Sequence, residues 1–332
     1  MLQDRTEINK SLSIDRFFPP FFSVLLPELG RPQYLKECVE SIHKFADLPV
    51  EIIVHDDGSG DAKQRQILDQ LGDKVSTLVL NRGYNTGLAR SFNRCRAMAS
   101  SKYLIGFNTD TYMTTSFLQK MKTALDLPYV GIVNVVRSLG EGRGVYTTPD
   151  GTKVGLLPGT GTFHCAGVRA EVWDAAGGWD ENVQTTSSDV GFMGTIFGMG
   201  LFAAAVEGTV VNEMWYRSAD GLSNDSNLGL SGNPAYISAA DFTRGDNNLP
   251  PVFGWNPHMQ DRICEIRREE IWRGVNLFIQ QEQYYPFWYN NNYQCQQVNK
   301  MFLPGGGIDW VAAETHGHAR WKDRIIQDFN LA

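Results

Sequence analysis

Cysteine is scarce in this sequence and never paired. Five occur among 332 residues, at positions 38, 95, 165, 264 and 295, with no CxxC spacing. An odd, scattered set argues against a disulfide framework and a cysteine-based zinc site, and reads as free thiols in a reducing cytoplasm. Long apolar runs are missing too. Nothing approaches the ~20 residues of a membrane-spanning helix. The opening stretch MLQDRTEINK is polar and mixed in charge, unlike a secretion signal. Positive charge is in deficit, with 30 Lys and Arg against 37 Asp and Glu and a formal net charge of −7. That balance argues against broad electrostatic docking on nucleic acid or an anionic membrane. The close pair His316 and His318 has no neighbouring His or Cys to complete a metal site, so a structural or surface role is read for it. Gly305, Gly306 and Gly307 lack the following Lys-Ser/Thr of a P-loop and read as a flexible turn. There is no internal repeat.

What is present is a hydrophobic fraction of 42%, enough for one large or two medium cores. Residues 1–20 read as a polar N-terminal arm. FFSVLLPEL reads as a buried strand ended by Pro27, and RPQYLKECVESIHKF as a helix with apolar positions at Tyr34, Leu35, Cys38, Val39 and Ile42. VEIIVHDDGSGD is a second strand entering a turn, AKQRQILDQLG a second helix closed by Gly72, and VSTLVL a third strand. TGLARSFNRCRAMAS is a third helix and KYLIGF a fourth strand. This alternation predicts a doubly wound α/β domain with a mainly parallel sheet. Such sheets take ligands beyond the carboxyl ends of their strands. The polar clusters Glu28–Arg31, Asp56–Asp61 and Asn108–Thr111 each follow such an end.

From about 131 to 225 the sequence is mixed and glycine-rich. It holds strand-like VGIVNVV and LFAAAVEGTVV, and a short helix RAEVWDAA closed by Gly177-Gly178. Beyond about 226 the polar, turn-rich LSNDSNLGLSGNPAY reads as a linker, MQDRICEIRREEIWRGVNLFIQQEQ as a long helix, and the cluster Tyr284, Tyr285, Phe287, Trp288, Tyr289, Tyr293 as core or interface packing, with a sugar-stacking platform as the lesser alternative. The predicted organisation is an arm over 1–20, a catalytic-type domain over 21–225 and a C-terminal helical, aromatic-rich region over 226–332.

Each polar motif carries a plain and a chemical reading. VHDDGSGD is a turn with local hydrogen bonds, or Asp57 accepts from a nucleotide base. In NTGLARSFN, Asn85 or Thr86 caps the helix and Arg90 is a solvated charge, or Arg90 meets a phosphate. NTDT is an Asx-type turn, or Asp110 gives a hard oxygen to a divalent cation whose shell a diphosphate completes. Asp189 is a helix N-cap, or a general base in a cleft.

Order and spacing together carry a resemblance. SVLLPELGRPQYLKECVESI resembles the opening strand of the family-2-like glycosyltransferases of GT-A fold, which normally reads P-T-x-N-R before a helix. IIVHDDGSGD is similar to their D-D-G-S-x-D turn. NTGLARSFNRCRAMASSKYLIGFNTDTY resembles their N-x-G-x-x-x-x-x-N, alanine-rich helix, strand and N-N-D-T, the DxD variant of rhamnosyl- and related transferases. HCAGVRAEVWDAAGGWDENVQTTSSDVGF resembles the stretch in which G-G-F-D-E precedes E-D-x-D. The likeness spans about residues 21–215.

The resemblance implies a nucleotide-diphospho-sugar transferase fold with a mixed C-terminal extension. Asp57 would contact the base, with the loop carrying Pro27, Glu28 and Arg31 beside it. Asn85 and Arg90 would lie toward the phosphates, and Asp110 would hold Mn2+ or Mg2+. Asn108 stands where the first DxD acid would be, followed by Thr109. Gly178, Trp179 and Asp180 would line the donor-sugar and acceptor side, and Asp189 would be the catalytic base. The implied donor is a UDP- or dTDP-linked sugar, and the acceptor a glycan, lipid-linked saccharide, protein or modified nucleic acid. The C-terminal third is assigned to acceptor walls or a homo-oligomer contact. Glu28-Leu29-Gly30 departs from the usual Thr-x-Asn, Ser188 and Gly191 replace acids flanking Asp189, and Asn212 or Glu213 sits where a metal-binding His is common. Two alternatives are carried: a weakened GT-A domain serving as a glycan-binding or scaffold module, and a sugar-1-phosphate nucleotidyltransferase. The latter would want a glycine-rich basic loop after the first strand, where PELGRPQY has one arginine.

Overall fold

The computed structural model describes residues 6–10, 19–28, 32–57, 62–81, 87–135, 140, 142–158, 163, 165–179, 181, 188–213, 301–303, 307–314 and 317–330. The linker, long helix and aromatic cluster expected over 226–293 lie outside them. The polar arm contributes a strand, β1 (Thr6–Lys10). TEINK shows no apolar alternation, and at a sheet edge pairing runs through the backbone, so the strand left little trace in the sequence. The chain then lays down β2 (Phe22–Glu28), α1 (Pro32–Phe45), β3 (Val50–Asp56), α2 (Ala62–Leu71), β4 (Thr77–Asn81), α3 (Leu88–Met98) and β5 (Tyr103–Phe107), as its periodicity predicts. The mixed stretch resolves into β6 (Thr111–Met113), α4 (Leu118–Leu125), β7 (Val130–Asn134), β8 (Arg143–Thr147), β9 (Lys153–Leu157), β10 (Cys165–Arg169), α5 (Ala170–Ala175), α6 (Ser188–Gly198), β11 (Phe202–Val206) and β12 (Val211–Glu213).

Ten strands form one sheet in the order β1-β4-β3-β2-β5-β10-β7-β11-β9-β8, and β12 and β6 form a second, two-stranded one. Strands β4, β3, β2 and β5 are mutually parallel, β7 and β11 are parallel to each other, and β1, β10 and β9 run against their neighbours. Central strands β2, β5, β7, β10 and β11 are buried at every residue, as a sheet covered on both faces requires. Pro27 was expected to end β2, yet the strand runs one residue further. Glu28 O accepts from Asp57 N–H at 2.8 Å, so Glu28 turns its backbone groups toward β3 and Pro27 turns its own toward β5. Pairing with β5 stops at Leu25, and the donor that proline lacks therefore has no partner to lose.

Gly106 on β5 shows how the sheet face is filled. A Cβ there would lie 2.3 Å from the Phe163 ring and 3.1 Å from Phe92, so a glycine opens the space those rings occupy. Phe163 in turn packs against Trp173, Trp179 and Phe192 with ring centroids 5.2–6.2 Å apart. Cys38, Cys95 and Cys165 are buried free thiols, and Cys264 and Cys295 lie outside the described residues. No helix among the described residues is long and apolar enough to cross a membrane.

The last described segment joins the same core. Met301, Phe302, Ile308, Ala313, Ile325 and Phe329 belong to one hydrophobic cluster with the central strands. Phe329 lies between Tyr129 and Tyr146, at 6.0 and 5.7 Å, and Tyr129 Oη donates to Asp328 at 2.8 Å. His318, half of the sequence's HGH, is buried against Phe202, and its Nε2 lies 3.2 Å from Leu201 O, a structural placement. Arg320 donates to Met199 O at 2.7 Å and Trp321 to Gly200 O at 2.8 Å. Three consecutive carbonyls at the end of α6 thus receive side chains from the C-terminal segment.

His55 on β3 is fully buried, with Arg94 3.2 Å from its Nε2. Burial above all, with Arg94 adding to it and Asp57 opposing, holds the imidazole pKa down to about 4 from 6.5.

Two outcomes follow. Phe329→Ala should destabilise the chain by about 3 kcal/mol, read from its urea midpoint, because it empties a core site rather than a surface one. Between pH 6.5 and about 4 the unfolded chain holds a proton on His55 that the folded chain refuses, so stability falls with pH across that window by up to about 3 kcal/mol. His55→Gln should flatten that part of the profile of urea midpoint against pH.

Candidate active site

The strand order β4-β3-β2-β5 reverses direction between β2 and β5, since the chain moves one way from β2 to β3 and β4 and then returns to the other side of β2. The carboxyl ends of β2 and β5 therefore splay their loops apart and leave a crevice. Glu28 ends β2, Asp56 and Asp57 end β3, and Asn108-Thr109-Asp110 follows β5.

Glu28, Asp56 and Asp57 are buried. Asp57 bridges two motifs. Its N–H extends the pairing with β2, and its Oδ2 accepts from Gly87 N–H at 2.7 Å. Gly87 is the N-cap of α3, with φ 101° and ψ 159°, a conformation open to glycine alone among ordinary residues. The helix thus begins on a glycine, tied to the D-D-G-S turn by a carboxylate at its positive end. Ser91 Oγ closes the first turn by donating to Gly87 O at 3.0 Å.

Asp110 sits in a tight turn, with Thr111 N–H donating to Asn108 O at 3.0 Å. Asn108, Thr109 and Asp110 are half-buried. The turn launches β6, which pairs antiparallel with β12 so that Thr111 faces Glu213 and Tyr112 faces Asn212. The strand end, the lone carboxylate and the two downstream polar residues are thereby brought together. The buried Cys38 thiol has its pKa raised, by burial first and then by the charges of Asp110 and Glu28. Among the described residues no three His, Cys, Asp or Glu side chains are arranged to hold a metal by themselves. A cation at Asp110 would draw on a ligand's phosphate oxygens to fill its shell, a common arrangement for Mg2+.

The other expected residues reach the site through α3. Gly177 and Gly178 have φ of +80° and +73° and close α5, as predicted. Trp179 is buried and stacks on Phe92 of α3 with centroids 4.5 Å apart. Asn93, one residue on, accepts from Trp179 N–H at 3.0 Å and donates to Trp179 O at 2.9 Å and Glu181 Oε1 at 3.0 Å. Arg90 pairs with Glu181 Oε2 at 3.1 Å, both side chains being nearly half exposed, a contact worth little in stability. Asp189 stands half-buried in the first turn of α6. One turn later Phe192 packs on Trp173, Phe163 and Trp179, which ties that helix to the face of β5 below Asp110. Arg31, Asn85 and Asp180 lie outside the described residues. Asn93, Gly87 and His55 had no assigned role in the sequence reading. Asn93 and Gly87 stood inside the N-x-G-x-x-x-x-x-N pattern, but their long-range partners could not be read there.

The model for glycosyl transferase family 2 matches residues 23–171, which covers β2 through the first turn of α5 and stops short of Gly178 and Asp189. Among solved structures, residues 1–349 of S. aureus TarS align at 14% identity and a TM-score of 0.48 over 86% of this chain and 91% of that one. A mannosyltransferase from Pyrobaculum calidifontis, PcManGT, solved with GDP-Man and Mn2+, aligns at 17% identity and 0.48 over 94% and 84%. No curated protein matches the sequence. Residues 23–171 of this chain thus match the glycosyl transferase family 2 model, and they hold the mainly parallel part of the α/β sheet.

Proposed function

We propose that the domain moves one sugar from a nucleoside-diphosphate sugar to an acceptor hydroxyl, with inversion at the anomeric carbon and a divalent cation bound with the donor. What supports this reading is that Glu28, Asp57 and the turn Asn108–Asp110 stand at the carboxyl ends of β2, β3 and β5, where the strand order reverses. A nucleotide lying across that crevice meets Asp57 with its base and Asp110 near its diphosphate. Mn2+ or Mg2+ held between Asp110 and the phosphates would offset the charge that grows on the leaving group.

The chain's own residues do the rest. Asp110 supplies one hard oxygen, and Asn108 an amide that binds a sugar hydroxyl without adding charge. The 177–181 loop borders the donor sugar and the acceptor. Asp189 takes the acceptor proton as the acceptor oxygen bonds to the anomeric carbon, while the bond from that carbon to the phosphate oxygen breaks and its electron pair leaves with the diphosphate. The nucleophile arrives on the face opposite the leaving group, which inverts the centre. Proton removal of this kind typically contributes ~10²–10⁴-fold to the rate.

Ser188 and Gly191, standing beside Asp189 where the resembled family carries acids, favour a second reading: a weakened domain that binds a glycan or serves as a scaffold. Release of nucleoside diphosphate from UDP-, dTDP- and GDP-sugars with added Mn2+ separates the two, since a scaffold releases none. In the same assay Asp189→Asn should lower turnover by about 10²–10⁴-fold and keep the Mn2+-dependent thermal shift given by the matching nucleoside diphosphate. Asp110→Asn should lose that shift. Wild-type turnover in the Asp189 variant would sink the base assignment.

A further inference from the structure

We infer that Asn93 is a positioning residue for the acceptor-side loop, the part that fixes Trp179 and its neighbours against the helix whose first turn faces the donor. The inference rests on the glycosyl-transfer reading of the crevice and adds to it a residue outside the crevice itself.

The side-chain amide of Asn93 meets Trp179 as a neighbouring strand would. Its Oδ1 accepts from Trp179 N–H at 3.0 Å, and its Nδ2 donates to Trp179 O at 2.9 Å. A backbone N–H must find an oxygen and a backbone carbonyl must find a donor, so this pairing alone fixes which way the amide faces. Nδ2 has a second proton, and it goes to Glu181 Oε1 at 3.0 Å. Three hydrogen bonds from one side chain therefore hold the two ends of the segment Trp179–Glu181.

The glycine before the tryptophan is cut to the same shape. Gly178 has φ +73°, and a Cβ on it would stand 2.7 Å from Asn93 Oδ1. Phe92, next to Asn93 on α3, stacks on the Trp179 ring. Trp179 is therefore gripped at its backbone by one residue of α3 and at its ring by the preceding one. The same helix opens at Gly87, whose N–H is bound to Asp57. One rigid element of 11 residues thus connects the nucleotide end of the crevice to the loop beside the transferred sugar. Reaction requires donor and acceptor to be aligned to within a fraction of an ångström, and misplacement by about 1 Å costs on the order of 10²-fold. A tie of this kind acts on turnover more than on nucleotide affinity, because the base and diphosphate are held at the other end of the helix.

Asn93→Ala tests it. Alanine is the better helix former, so α3 itself is not weakened by the change. The expected result is a fall of about 10- to 100-fold in nucleoside diphosphate release, with the thermal shift given by UDP, dTDP or GDP plus Mn2+ unchanged. Asn93→Asp should behave alike, since a carboxylate accepts from Trp179 N–H but has no donor for Trp179 O or Glu181. Unchanged turnover in a folded Asn93→Ala chain overturns the inference, and so does parallel loss of nucleotide binding, which would mark a general structural role. The tie itself is read from stability, independently of activity. Gly178→Ala should lower the urea midpoint markedly in the wild type and less in the Asn93→Ala background, where the clash is gone. Additive effects overturn it. If the wild-type chain releases nucleoside diphosphate from none of the donors, the glycosyl-transfer reading fails while this stability cycle still decides whether Asn93 holds the loop.

Discussion

Parallel pairing on both sides of β2 is the constraint from which the rest follows. Every residue of Phe22–Glu28 is buried, so the strand must be flanked on both edges and covered on both faces. The chain satisfies the first edge by winding outward through β3 and β4 and the second by returning with β5. That return cannot be made without a reversal of strand order, and the reversal opens a crevice at the carboxyl ends. Pairing with β5 ends at Leu25 while pairing with β3 continues to Glu28. The last residues of β2 therefore run on beyond their pairing with β5.

Among the described residues the charge at these strand ends is lopsided. Glu28, Asp56 and Asp57 are buried there, and Asp110 is half-buried. The arginines of α3 are engaged elsewhere: Arg90 with Glu181, Arg94 against His55, and Arg96 with Asp174. A diphosphate entering such a place meets carboxylates first, and like charges at short range are costly at low dielectric. A cation that binds with the diphosphate removes that conflict, and the amide of Asn108 in place of a further acid reduces it. The single carboxylate at Asp110 is then consistent with a ligand that brings its own oxygens.

The parts legible in the sequence are those with local causes. The alternation of β2 through β5 with α1 through α3 is written in hydrophobic period and in glycine, and the turns Asp56–Asp61 and Asn108–Thr111 were recognisable because Asp, Asn and Gly have few other uses at strand ends. What escaped depends on partners far along the chain. The strand β1 is held by β4 about 70 residues away, and β6 by β12 about 100 away, and neither short segment has a pattern of its own. Arg90 offered a free cation to the sequence reading, but folding brings Glu181 to it. Asn93 had no role in the sequence reading, since its partners Gly178 and Trp179 lie more than 80 residues away. Trp179 itself reads as a candidate lining residue from its motif, while its ring is packed inside the aromatic cluster and only its backbone faces the loop's business.

Described residues beyond the division drawn at about residue 225 share the hydrophobic cluster of the central strands. The helix α6 carries Asp189 at one end and finishes at Gly198. In the link just past it, Met199 O accepts from Arg320 and Gly200 O from Trp321, and His318 Nε2 lies at Leu201 O, all from more than 110 residues downstream. Cationic and donor groups at a helix carboxyl end also suit its dipole. The other end of α6 is fixed by Phe192 among Phe163, Trp173 and Trp179. A rigid helix secured at both ends holds the residues on its first turn to one place relative to β5. The family 2 match ends at residue 171, so both the proposed base and the segment that secures its helix lie beyond it. A chain cut after β12 would keep the strand ends proposed to hold the nucleotide yet lose the contacts just past α6, so the step proposed for Asp189 would suffer before the binding of the donor did.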